Sequence, residues 1–159
     1  MSPRPAVPCE VQASFVLWLS AVAAGVLETI IRLIYSLSVD SGSGGEADLT
    51  GVLIRVVVYT VVIYIIAQMR LGKRWARTTL AVLLGGIGTL SLVIDPILWV
   101  AGGNALGEVF AQANPLFYIV APIRAVHLAA VLTALVSMFL PAANSYFRAA
   151  QSRTRWTLG

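Results

Sequence analysis

Residues 51–77 read GVLIRVVVYTVVIYIIAQMRLGKRWAR, and this stretch decides the fold. From Gly51 to Met69 the only charged residue is Arg55. A helix rising about 1.5 Å per residue needs about 20 mostly apolar residues to cross a hydrocarbon core. Between Arg70 and Arg77 come four cations and no acid, and the chain then turns apolar again. Two membrane spans joined by a short basic turn are the reading. The pattern extends outward in both directions. One apolar run, about 11–37, precedes it; a second, about 76–99, follows the turn; another, about 115–140, lies beyond. The runs show no period-two alternation and exceed the length of a barrel strand, so they read as helices.

Composition agrees. Of 159 residues 58% are apolar and 11% charged, with a mean hydropathy of +0.86, whereas soluble domains carry about a quarter charged residues. Disorder is excluded by the same balance, and a disulfide-built scaffold by a single cysteine, Cys9. The expected fold class is all-α: an integral membrane four-helix transmembrane bundle forming a single domain.

The connections carry orientation. Eight of the eleven Lys and Arg lie in the 70–77 turn, at Arg4, or at Arg148, Arg153 and Arg155. The other two connections, 40–50 and 102–114, contain no Lys or Arg and hold Asp40, Glu46, Asp48 and Glu108. By the positive-inside rule the N- and C-termini and the basic turn are cytoplasmic, and residues 141–159 form a basic cytoplasmic tail. A cleaved signal peptide competes for the first span, with Ala21-Val22-Ala23 as a cleavage site, but the apolar run outlasts an h-region. Localisation in a cell inner (plasma) membrane follows.

Local signals fill in the rest. Asp40–Asp48 has linker composition, and Asp48 or Thr50 can cap the second span. Residues 105–113 suit either a short interfacial helix or an irregular connection. Pro96 and Pro122 should end or bend their helices. Trp75, Trp99 and Trp156 stand where interfacial belts are expected, and Trp18 reads as a packing residue. Ala81, Gly85 and Thr89, four apart, form a small-residue helix-packing face suited to the bundle interior or to a homodimer seam.

Six ionisable residues within the spans are not explained by spanning: Glu28, Arg32, Arg55, Asp95, Arg124 and His127. A charge at the bilayer centre costs on the order of 3 kcal/mol, so such groups seek partners, water or the interface. Counting about 1.5 Å per residue places all six in the outer half of the membrane. Glu28 and Arg32 share a face at i, i+4 in the order that favours pairing. In one reading, Glu28–Arg32 and Asp95 with Arg55 or Arg124 are ion pairs fixing helix rotation. In another, the six form a net positive ligand-binding pocket, since the arginine fork suits phosphate and carboxylate. The ligand is then an anionic lipid headgroup or an acidic residue of a larger membrane-protein complex. A small transporter or channel using Glu28 and His127 in a polar pathway is the alternative. The sequence holds no catalytic motif or metal-ligand cluster, so no enzyme, cofactor or metal is expected. The basic turn and tail suit anionic lipid rather than nucleic acid.

Pro5-Ala6-Val7 to Val11, Leu17-Trp18-Leu19 and the turn Met69-Arg70-Leu71-Gly72-Lys73-Arg74-Trp75-Ala76-Arg77 resemble a pattern in small actinobacterial four-helix membrane proteins. Their inner turn reads Met-Arg-x-Gly-basic-x-Trp-Ala-Arg, here with Lys73 as the basic residue and Arg74 in the variable position. The resemblance implies the same architecture in an actinobacterial plasma membrane and brings no functional residues. The combined expectation is a non-enzymatic accessory or scaffold subunit.

Overall fold

The computed structural model describes residues 7–39, 45–103, 107 and 115–156, with side chains described apart from 39, 45–49, 95 and 151–156. Among the described residues every regular element is a helix: α1 (Cys9–Val39), α2 (Gly45–Arg70), α3 (Arg74–Leu80), a π-helical segment (Ala81–Gly88), α4 (Thr89–Ala101), α5 (Pro115–Met138) and α6 (Pro141–Trp156). Four stretches are long and apolar enough to cross a membrane: Cys9–Ser38, Thr50–Arg70, Arg74–Ile94 and Pro115–Met138.

Several boundaries differ from the sequence reading, each for a local reason. The second helix begins at Gly45, so Asp48 and Thr50 lie within it rather than capping it. Pro96 and Pro122 lie inside α4 and α5 and end neither helix. A proline removes one amide donor, a loss that a helix packed among others can absorb. The fourth apolar helix stops at Met138, two residues short of Leu140. Phe139 and Leu140 close its end with amides donated to the carbonyls of Val136 and Ser137, at 3.0 and 3.4 Å. Pro141 then starts α6 at a position where its missing N–H is no loss. Residues 105, 106 and 108–113, and with them the interfacial-helix expectation, lie outside the described residues.

The segment read as a tail is a helix that folds back onto the bundle. Ala143 and Phe147, four apart, are buried at 0% and 1% exposure. The Tyr146 hydroxyl donates to the Arg70 carbonyl at 2.9 Å. That anchors α6 over the 71–73 turn. The turn itself closes α2 with Gly72 at φ +83°. Gly72 N–H donates to Met69 O at 2.9 Å and Lys73 N–H to Gln68 O at 3.2 Å, the paired bonds of a Schellman cap.

The buried core occupies one half of the bundle. It gathers Val11, Trp18 and Ala21 of α1, Ile65, Ile66 and Met69 of α2, Ala76 and Leu80 of α3, and Val131, Ala134 and Met138 of α5, with Phe147 of α6. All lie toward the 71–73 turn. Ser14, fully buried, donates to the Ala134 carbonyl at 3.1 Å and ties α1 to α5 there. Trp18, also fully buried, packs as the sequence indicated. In the far half, Val120 alone among the described apolar residues is buried. The most extensive helix pairing is α1 with α5, whereas α4 meets α5 only sparsely.

The third apolar helix owes its loose packing to its composition. Residues 81–88 read AVLLGGIG, with three glycines that weaken an α-helical ladder, and the segment bonds with π geometry. Thr89 Oγ1 donates to the Leu84 carbonyl, five residues back, at 3.2 Å. A Cβ on Gly85 would stand 3.1 Å from Leu135 Cδ1, so this glycine brings the segment close to α5. Ala81 packs against the core, and Gly85, four residues on, lies against Leu135 of α5.

Gly72→Ala meets two penalties: a left-handed backbone and a Cβ 2.7 Å from the Ala150 Cβ. It is expected to destabilise the protein by about 1–2 kcal/mol, read as a lowered thermal midpoint in mild detergent. Gly86→Ala, whose nearest neighbour would be a carbonyl oxygen at 3.9 Å, is expected to cost nothing. Equal losses would contradict the assigned turn.

Candidate functional site

In the far half, where core packing gives out, a carboxylate joins the two most extensively paired helices. Glu28 sits on α1 one turn before Arg32, and the i, i+4 spacing brings Arg32 Nε to Glu28 Oε1 at 2.9 Å. From α5, Arg124 reaches the same oxygen with Nε at 3.0 Å and a terminal guanidinium nitrogen at 2.9 Å. One carboxylate oxygen therefore accepts from two guanidiniums, and that of Arg124 reaches it across helices from a position 96 residues away in the chain. The Glu28 side chain is 17% exposed, while Arg32 and Arg124 are 40% and 39% exposed. Burial falls on the acid, and the cations present their outer faces.

Among the described side chains the local balance is two positive charges against one negative. A guanidinium carries five N–H donors. Arg32 gives one to Glu28 and Arg124 gives two, so Glu28 uses up neither fork. Arginine so placed recognises a carboxylate or phosphate through paired hydrogen bonds.

Those guanidiniums border a groove of about 420 Å³ between α4 and α5. Leu92, Val93 and Pro96 form one wall, and Phe117, Val120 and Ala121 the other, with Arg32 and Arg124 on its border. The groove exists because α4 stands off from α5 along most of its length. Its volume falls in the range of small-ligand sites, about 300–1,000 Å³. An apolar trough bordered by two cations has the polarity profile of an anionic amphiphile.

The six candidate residues part company here. Glu28, Arg32 and Arg124 come together. His127, one turn along α5 from Arg124, is partly buried against α1 near the Ala21 carbonyl, within electrostatic reach of Glu28 and Arg124. Arg55 is exposed on α2 and joins no ion pair among the described residues, so it lies outside the cluster. The backbone of Asp95 belongs to α4, but its side chain is outside the described residues. The expected pairing of Asp95 with Arg55 or Arg124 therefore lies outside the described residues, whereas Arg124 bonds Glu28, because the close α1–α5 packing brings the two within reach.

Sequence reasoning missed a neutral clasp between α1 and α2. Thr29 Oγ1 lies 3.0 Å from the Tyr59 hydroxyl and donates to the Gly25 carbonyl at 2.9 Å. A Cβ on Gly25 would stand 3.1 Å from that Tyr59 oxygen, so the glycine makes room for the ring. Glycine, threonine and tyrosine are all ordinary span residues, and nothing in their spacing pointed to a contact. Among the described residues no three of His, Cys, Asp and Glu gather as a metal site would require. Compared with protein-family models, curated proteins and solved structures, the chain matches none.

The Glu28–Arg124 bond can be measured as a coupling. A double-mutant cycle of Glu28→Gln and Arg124→Gln in detergent should give a favourable interaction of about 1 kcal/mol. The same cycle on Glu28 and Arg55 should give none. Equal couplings would place the acid elsewhere.

Proposed function

We propose that this chain is a non-enzymatic, multi-pass plasma-membrane protein with both termini cytoplasmic, and that it binds an anionic amphiphile in its outer leaflet. The single observation that carries the reading is the apolar groove between α4 and α5 bordered by Arg32 and Arg124. Acyl chains lie along Leu92, Val93, Pro96 and Phe117. The anionic headgroup takes the donors that Glu28 leaves unused. Glu28 keeps two like charges at the border of one groove, where without it they would repel each other. The bound lipid, or an acidic group of a larger membrane-protein partner, gives the chain its role as an accessory or scaffold subunit.

The positive-inside asymmetry supports the orientation, and with it the outer-leaflet placement of the groove. Proton-coupled transport through Glu28 and His127 is the poorer reading. A carboxylate oxygen bonded to two arginines is engaged in holding α1 to α5, and a transport cycle would have to break those bonds.

Purification in mild detergent, followed by mass analysis of retained lipids and proteins, tests the proposal. The wild-type chain should retain phosphatidylglycerol or another anionic lipid over phosphatidylcholine. Arg124→Ala should reduce that retention about tenfold, and Arg124→Lys should recover only part of it, since lysine lacks the fork. Unchanged retention in both variants would overturn the reading. Gradient-driven flux in liposomes abolished by Glu28→Gln would replace it with transport.

A further inference from the structure

The opposite end of the bundle holds a second cavity, of about 370 Å³, between the start of α3 and the α5–α6 corner. It is lined by Arg74, Arg77, Thr78, Phe139, Asn144 and Arg148. The α3 helix supplies two arginines at i, i+3, and α6 brings the third, Arg148, from far along the chain. This convergence depends on α6 folding back over the turn.

Arg77 is fixed in place by aromatic faces. Its guanidinium carbon lies 4.0 Å from the Phe139 ring centroid and 5.2 Å from that of Phe147, which is fully buried. Arg74 and Arg148 are exposed on either side. Among the described residues none of the three forms an ion pair. Of the seven acids, Glu10 alone belongs to a described helix at this end, and it does not line the cavity. Orientation by the positive-inside rule accounts for cations near this face. It does not account for three of them, from two helices, around one cavity with no acid in the lining. Like charges gathered this way repel one another, and a bound anion relieves the repulsion.

We propose that this cavity binds a phosphate group, with Arg77 as the fixed donor and Arg74 and Arg148 closing from the sides. A phosphate ester of a membrane lipid and a soluble phosphate present the same chemistry. Trp75 and Leu140, exposed beside Arg74 and Phe139, give the rim an apolar neighbourhood suited to the lipid form. The site lies at the other end of the bundle from the Glu28 groove and stands without it.

The test uses the full chain in a maltoside detergent, with Arg74→Gln/Arg148→Gln and its Lys/Lys counterpart; Arg77 is retained so that the aromatic stack persists. Thermal melts check that both variants keep the wild-type fold. Native mass spectrometry with added phosphatidylglycerol or phosphatidylcholine reads lipid binding, and phosphorus NMR line width reads inorganic phosphate. The Gln/Gln variant should lose about tenfold in phosphatidylglycerol occupancy at a population that Arg124→Lys leaves intact, and the Lys/Lys variant should keep most of it. A phosphate line broadened by the wild type and not by Gln/Gln, with lipid occupancy unchanged, assigns the site to a soluble phosphate. If neither probe responds to Arg74 and Arg148, or if Arg124→Lys removes the same lipid population, the proposal is overturned.

Discussion

The far half of this bundle depends on one carboxylate. Toward the 71–73 turn, Trp18, Ile66, Met69, Leu80, Met138 and Phe147 are all buried and dense packing holds the helices together. Beyond Val22 and Ala130 the core thins, and the bond from Arg124 to Glu28 takes over the joining of α1 to α5, while Arg32 holds the same carboxylate from within α1. The acid is mostly buried and the two cations are not. The pair therefore avoids the full desolvation cost of a buried ion pair, while the cations keep faces turned outward. A specific bond in place of close packing leaves room for α4 to stand off and for the groove to exist.

The two ends of the molecule use arginine differently. At the Glu28 end an acid bonds both described arginines, and the groove beside them is lined mostly by apolar residues. At the turn end three arginines share a cavity with polar neighbours, and one is held by aromatic rings. The fold-back of α6 links charge to architecture, since the helix that buries Ala143 and Phe147 also carries Arg148 to the cavity.

The four apolar helices were legible because length and hydropathy suffice to mark them, and Glu28–Arg32 was legible because both partners lie on one helix at a pairing distance. The Arg124 bond was not, since it depends on how α5 rotates against α1. Arg55 shows the same limit from the other side. Residues 51–69 are apolar on every face, so no periodicity indicates which face turns inward, and the arginine ends up exposed. The fold-back helix was hidden by its polar composition, although Ala143 and Phe147 are spaced as one buried face of a helix requires. The π geometry of residues 81–88 left only its glycines as a signal.

Amide hydrogen exchange in detergent, comparing wild type with Glu28→Gln, measures most directly whether the carboxylate holds the far half. Faster exchange confined to residues 25–38 of α1 and 116–126 of α5, with 11–22 and 130–138 as protected as before, is the result expected. Unchanged exchange in the far half, or a loss of protection spread evenly over both helices, would contradict the division into a packed end and a charge-held end.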